Sequence, residues 1–334
     1  MAAPSISDRA RRPIALTMGD PAGIGGELTL RAWLALRASG AAFIALDDPD
    51  RLRGLAAALH LDVPIAETED PTAFPHALPV HPIRLAAPAR PGHPDPANAP
   101  AVIAAIEQAV RMALSGAARA VVTNPINKAA LYAAGFPHPG HTEFLAALTG
   151  ATGRQEMMLA IPGLRVVPVT VHASLRDAIT RLSTARIVAA AQTTAAALRR
   201  DFAIPRPRLA IAGLNPHAGE AGALGDEEIR LIAPAIATLR AAGEDVSGPW
   251  PPDTMFTPSA RASYDAAICM YHDQGLIPLK TLDVDHGVNI TLGLAIVRTS
   301  PDHGTAYDIA GRGLADPASL IAALNLAAHL TERR

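Results

Sequence analysis

Residues 208–217, RLAIAGLNPH, decide the fold, because a short apolar run rich in β-formers ends directly in Asn215, Pro216 and His217. The same design recurs in PIALTM (13–18), AAFIAL (41–46), AVVTNP (120–125), RVVPVTVH (165–172) and AAICMYHD (266–273). Between such runs lie longer alanine-rich stretches of helical period, for example AVIAAIEQAVRMALSG (101–116) and TARIVAAAQTTAAALRRDF (184–202). This alternation predicts an α/β protein. Polar residues follow five of the strands: Gly19-Asp20-Pro21, Thr123-Asn124-Pro125, His172, Asn215-Pro216-His217 and His272-Asp273. Ligands of open α/β sheets gather at the carboxyl ends of strands, so these ends are expected to converge.

A chain of 334 residues exceeds what one hydrophobic core usually serves, and two domains are expected. A net charge of -2 supplies neither a broad basic face for nucleic acid nor a polybasic patch for a membrane surface. Partners are expected to be small molecules and a like subunit. Every apolar run is broken before the roughly 20 residues that a membrane span needs. Behind the basic opening MAAPSISDRARRP, the apolar stretch Ile14 to Met18 is shorter than a signal-peptide core of roughly 7–15 residues, which predicts a cytoplasmic protein. The single cysteine, Cys269, reads as a core thiol in a buried strand, with neighbouring His272 as the one argument for reactivity. The proline-rich stretch from Asp62 to Pro100 reads as a meandering surface segment without chemistry.

Three histidines stand at strand ends in polar company: His172, His217 and His272. Neutral imidazoles suit zinc and similar ions, and three protein ligands with an open position make a usual catalytic site. Taken singly, each could equally be a structural or surface histidine. Lys280, Asn289 and Arg298 form a second set suited to a phosphate or carboxylate, against the alternative of solvated hairpin flanks. TMGDPAGIGGE (17–27) places four glycines between a strand and a helix, where amides could meet an anion, but it does not fit G-x-G-x-x-G. A tight structural turn explains it as well. DHGTAYDIAGRG (302–313) has the small residues that let backbone approach a flat ligand, and it can also cap a helix beginning near Asp316-Pro317.

Together with GHTEFLA (140–146), HASLRDAI (172–179), PWPPDTMF (249–256), MYHDQGLIPLK (270–280), TNPINK (123–128) and GVNITLGL (287–294), these motifs resemble the ordered signature of the 4-hydroxythreonine-4-phosphate dehydrogenase family over about Thr17 to Ala328. The resemblance implies an isocitrate/isopropylmalate dehydrogenase-like fold: two α/β/α domains around a cleft, in a homodimer whose active site lies at or near the subunit interface. It places the domains at residues 1–135 plus 300–334 and at 136–299, with most metal and substrate residues in the second. Position by position it implies His172, His217 and His272 as ligands of one divalent metal per subunit, zinc, magnesium, manganese or cobalt. His141 and Thr142, with Lys280, Asn289 and Arg298, match substrate contacts, and Asp253 and Asp273 match acidic residues near the site. By analogy with isopropylmalate dehydrogenases, His303, Gly304, Asp308 and Ala310 lie near the adenosine of NAD or NADP.

The implied reaction is oxidation of 4-phosphooxy-L-threonine to 2-amino-3-oxo-4-(phosphooxy)butanoate, which decarboxylates to 3-amino-2-oxopropyl phosphate in vitamin B6 biosynthesis. Two departures from the family pattern, ALDDPDRL in the second strand and the asparagines of TNPINK, touch no metal or phosphate position. They leave open a paralogue that oxidises D-threonate or D-erythronate 4-phosphate. A metal hydrolase and a non-catalytic metabolite-binding protein are the alternatives from other classes.

Overall fold

The computed structural model describes residues 12–38 and 40–332; the basic opening through residue 11, and with it the expectation about export, lies outside the described residues. In chain order the strands are β1 (Ile14–Thr17), β2 (Phe43–Asp47), β3 (Ile65–Glu67), β4 (Leu78–Pro82), β5 (Ala120–Thr123) and β6 (Glu156–Ile161). They continue as β7 (Leu164–Pro168), β8 (Arg208–Ala212), β9 (Asp245–Trp250), β10 (Ala266–Cys269), β11 (Val288–Leu292) and β12 (Arg298–Pro301). The chain divides into two compact α/β units, Met1–Gly153 with Leu294–Arg334, and Arg154–Gly293.

In the first unit the strand order is β3-β4-β2-β1-β5-β12, and every neighbouring pair is parallel. Strands β1, β2 and β5 are buried along their whole length, as expected of parallel strands covered by helices on both faces. The winding leaves β1 toward β2 on one side and toward β5 on the other, so the switch point lies between β1 and β5. The helix Ala99–Ser115 begins with proline in its first turn, where a missing N–H costs nothing, and stops at Gly116 with φ 78°. It buries Val102, Ile106 and Val110 in a core shared with Ile44, Leu46 and Val121.

The second unit has the order β11-β6-β7-β10-β8-β9. A β6/β7 hairpin and antiparallel β11 form one edge, and β7, β10, β8 and β9 run parallel. Its core packs Leu159, Val166, Ala210, Ala267, Leu276 and Leu279 around Cys269. That thiol is fully buried, and burial pushes it up to about 12, so it stays protonated at neutral pH and belongs to the core.

Two features differ from the sequence reading. The units part at 153/154 and 293/294, where the sequence reading drew 135/136 and 299/300, because helix His141–Leu148 sets Phe144, Leu145 and Ala146 into the first unit's core. The proline-rich stretch is also more ordered than a meander: it forms β3 and β4, and its residues Leu85–Ala89 and Pro91 line a cavity of about 540 Å³ with Glu27 and Arg51.

Asn124, fully buried at the switch point, donates from Nδ2 to the Thr17 carbonyl at 3.0 Å and to Thr29 Oγ1 at 3.1 Å, tying β5 to β1 and to helix Gly25–Leu36. Asn124→Ala strands a buried carbonyl, and it is expected to cost about 1–3 kcal/mol in denaturant unfolding. An unchanged midpoint would show that the tie carries no stability.

Candidate functional site

Parallel pairing of β7, β10 and β8 brings their carboxyl ends to one side of the second unit, and each end leads to one of the predicted metal histidines. His172 and His217 have left-handed backbone, φ 49° and φ 52°. Such conformations cost on the order of 1–3 kcal/mol and persist only where the surroundings impose them. Past β8 the whole run His217–Ala221 is left-handed. Buried Glu228 anchors its base, accepting from Leu214 N at 2.7 Å, Asn215 N at 2.8 Å and Asn215 Nδ2 at 2.9 Å. Burial alone would raise this carboxyl, but the donors of Asn215 and Leu214 outweigh it and hold the group below the ordinary glutamate value. The sequence reading missed Glu228; the loop before it, whose N–H groups need an acceptor, was the available signal.

The rings of His172 and His272 have centroids 6.2 Å apart and line a cavity of about 280 Å³ with Thr170, Leu175, Tyr271 and Asp273. With metal–nitrogen bonds of about 2.1 Å, rings at this separation can face one ion from opposite sides. Asp273 lies 2.7 Å from His272 Nδ1, an arrangement that fixes the tautomer and reserves Nε2 for a ligand. These two donors fit a divalent ion. Exposed His217 does not complete a trio with them: among the described residues, no group of three or more His, Cys, Asp or Glu side chains is placed to hold a metal. Of the other predicted residues, Lys280 is exposed on helix His272–Leu282, Asn289 is half-buried on β11, and Asp253 is exposed in the turn after β9.

The first unit holds a separate group. His141 and Thr142 open helix His141–Leu148, and Arg298 opens β12. Arg298 is only 4% exposed and donates from Nη2 to Thr123 Oγ1 at 2.6 Å. Burial pulls its guanidinium down to about 10, so it remains charged at neutral pH. Burial, then the charges of Arg298 and Lys128, hold His141 well below its ordinary value, and the ring is neutral. Its Nε2 is closed off from water without a hydrogen-bond partner among the described residues. Lys128 Nζ stands so close to Gly140 that a Cβ there would meet it at 3.3 Å. Lys128 lies in TNPINK, yet the sequence reading assigned it no role. Two cations beside a neutral imidazole make a corner suited to an anion.

The predicted cofactor segment crosses the β1 turn of the same unit. Ile24 N donates to Thr305 O at 3.0 Å, and Asn127 Nδ2 donates to Tyr307 Oη at 2.6 Å. A Cβ on Gly23 would stand 2.9 Å from Thr305 O, and one on Gly19, with φ 68°, 2.6 Å from Pro125 O. These glycines therefore serve close packing. Burial lowers His303 against the opposing pull of Gly304 O and Asp302, and Nε2 has no hydrogen-bond partner among the described residues. Gly304 and Asp308 are exposed and Ala310 is buried. A neutral ring, bare backbone and a carboxylate are a donor set that fits a nucleoside, the carboxylate accepting from ribose hydroxyls.

A family model described as "Pyridoxal phosphate biosynthetic protein PdxA" matches residues 40–327. The chain is 55% identical to the 4-hydroxythreonine-4-phosphate dehydrogenase of Maricaulis maris, covering 96% of this chain and 98% of that one. It is 53% identical to the enzyme of the same name from Caulobacter vibrioides, covering 97% and 98%. The crystal structure of 4-hydroxythreonine-4-phosphate dehydrogenase from Klebsiella pneumoniae superposes with a TM-score of 0.88 at 42% identity, covering 96% and 99%.

Two outcomes follow from this geometry. Glu228→Gln weakens the charge-assisted bonds at the base of the His217 turn and should cost about 1.5–3 kcal/mol. Because the carboxyl is depressed in the folded state, its contribution is present above the ordinary glutamate value of 4.5 and is lost as pH falls, so the variant should show a shallower acid limb in thermal melts. A variant as stable and as acid-sensitive as the parent would remove Glu228 from this role. His141 is depressed too, so the unfolded chain takes up its proton first and stability declines as pH falls below 6.5. His141→Asn should flatten that decline, and an identical pH profile would contradict the burial of this ring.

Proposed function

Because the chain belongs to the PdxA family, we propose that it is a 4-hydroxythreonine-4-phosphate dehydrogenase acting in vitamin B6 biosynthesis. The reaction is NAD-dependent, metal-dependent oxidation of 4-phosphooxy-L-threonine at C3, giving 2-amino-3-oxo-4-(phosphooxy)butanoate. As a β-keto acid this product loses carbon dioxide to give 3-amino-2-oxopropyl phosphate. The observation that carries the reading is the corner at His141, where Arg298 is charged and buried and Lys128 adds a second cation. A dianionic phosphate would meet the buried guanidinium of Arg298 and the exposed ammonium of Lys128 with opposite charge, which an uncharged substrate would not.

Thr142 and neutral His141 would supply hydrogen bonds to the same phosphate, and Lys280 and Asn289 the remaining substrate contacts. His172, His217 and His272 would hold one zinc, magnesium, manganese or cobalt ion per subunit. We assign the protein to a homodimer with its active site at or near the subunit interface. His303, Gly304, Asp308 and Ala310 would take the adenosine of NAD or NADP. When bound, a divalent ion on the histidines would supply Lewis acidity, and NAD or NADP beside His303 and Asp308 would supply a hydride acceptor. Asp273 is engaged with His272 Nδ1, which suits it to hold that ring, and Asp253, Asp273 or a water on the metal would receive the hydroxyl proton. No helix among the described residues is long and apolar enough to cross a membrane, and a cytoplasmic setting suits the reaction.

Reduction of NAD, followed at 340 nm, tests the proposal with 4-phosphooxy-L-threonine against D-threonate and D-erythronate 4-phosphates. Turnover should favour the amino substrate and disappear after EDTA treatment. Arg298→Lys should raise KM by about tenfold or more, through loss of a planar two-bond contact. Preference for a sugar-acid phosphate would move the enzyme to another pathway, and no NAD reduction with any of the three would overturn the assignment.

A further inference from the structure

The parallel strands that lead to the three histidines also have amino ends, and those ends carry arginines. Arg165 is the second residue of β7, Arg208 the first of β8, and Asp265 immediately precedes β10. With Arg261, Tyr264 and Gly163 they line a cavity of about 420 Å³. Strands of four or five residues rising about 3.3 Å per residue put this cavity on the order of 15 Å from the histidine ends. A molecule held here does not touch the histidines.

The charges in the cavity do not cancel. Asp265 gives its side-chain hydrogen bonds to Arg208: Oδ2 accepts from Arg208 N at 2.8 Å and Nε at 3.2 Å, and Oδ1 accepts from Nη2 at 3.0 Å. Among the described residues, Arg165 forms no ion pair with a carboxylate. It donates from Nη1 to the Asp265 carbonyl at 3.0 Å and lies over the Phe202 ring at 4.8 Å, which holds its plane. Burial pulls this guanidinium below its ordinary value, against the opposing charge of Asp265. Arg261 ends a one-turn helix, and its Nε is closed off from water with no hydrogen-bond partner among the described residues. Three arginines and one carboxylate therefore line one half-enclosed site, a surplus of two positive charges.

We infer that this cavity is a second anion site, which binds the phosphoryl group of a small phosphomonoester between Arg165 and Arg261. A phosphomonoester carries about -1.5 to -2 charges at neutral pH, matching the surplus of two, and its oxygens can take paired N–H donors from planar guanidinium groups. A monocarboxylate brings half that charge. The cavity exceeds the volume of a bare phosphate, leaving room for the esterified carbon skeleton.

Equilibrium dialysis of the full chain against radiolabelled inorganic phosphate at low ionic strength tests the site, with Arg261→Gln and the charge-keeping Arg261→Lys beside the parent. The parent should bind one more phosphate per chain than Arg261→Gln, and Arg261→Lys should retain it. Glycerol 3-phosphate should displace the label at concentrations about tenfold lower than acetate. Dehydrogenase kcat in Arg261→Gln should stay at the parental level, which shows that the variant folds and that the lost site is not the reactive one. Equal stoichiometry in the parent and Arg261→Gln, or displacement by acetate as readily as by glycerol 3-phosphate, would overturn the inference.

Discussion

Parallel hydrogen bonding between neighbouring strands is the constraint on which the rest of this protein depends, because it aligns like ends of strands that lie far apart in sequence. In the second unit, β7, β10 and β8 are paired in this way, and three loops separated by dozens of residues are brought to one side. In the first unit, β1 and β5 flank the switch point, so the glycine turn after Thr17 and the asparagine turn after Thr123 pack on each other. Covered parallel strands have little room for polar side chains along their length, and chemistry is displaced to their ends.

Much of this was legible in the sequence, and for a physical reason. Strand interiors such as AVVT and AAIC are buried on both faces, so they read as unbroken apolar runs. The polar residue that ends each run then marks a site of convergence. Features that depend on tertiary contact were not legible. Lys128 follows Asn127, whose side chain caps the next helix, and it reads locally as a helix-start residue; only packing on Gly140 brings its charge toward His141. Glu228 has the residue type of a solvated glutamate, and only the N–H groups of Leu214 and Asn215, some thirteen residues earlier, reveal it as an anchor. The domain boundary was displaced for the same reason, since Phe144 and Leu145 declare their unit only through the core they enter.

Electrostatics sorts the groups more finely than proximity does. Arg298 keeps its proton despite burial, while His141 beside it does not, so the corner presents fixed charge together with a neutral ring. At His272 the adjacent carboxylate of Asp273 favours one tautomer, whereas His217 relies on a left-handed turn held at its base by Glu228. Left-handed backbone occurs at His172 and His217, past the ends of β7 and β8, and β8 itself shifts register between Ala210 and Ala212.

The central claim is that hydride leaves C3 of a phosphorylated amino acid. Turnover of 4-phosphooxy-L-threonine carrying deuterium at C3, with mass analysis of the products, tests it most directly. The account predicts deuterium in the reduced nicotinamide, together with carbon dioxide and 3-amino-2-oxopropyl phosphate in equal amounts. Deuterium retained at C3, with inorganic phosphate released and the nicotinamide unreduced, would contradict it and identify a hydrolase.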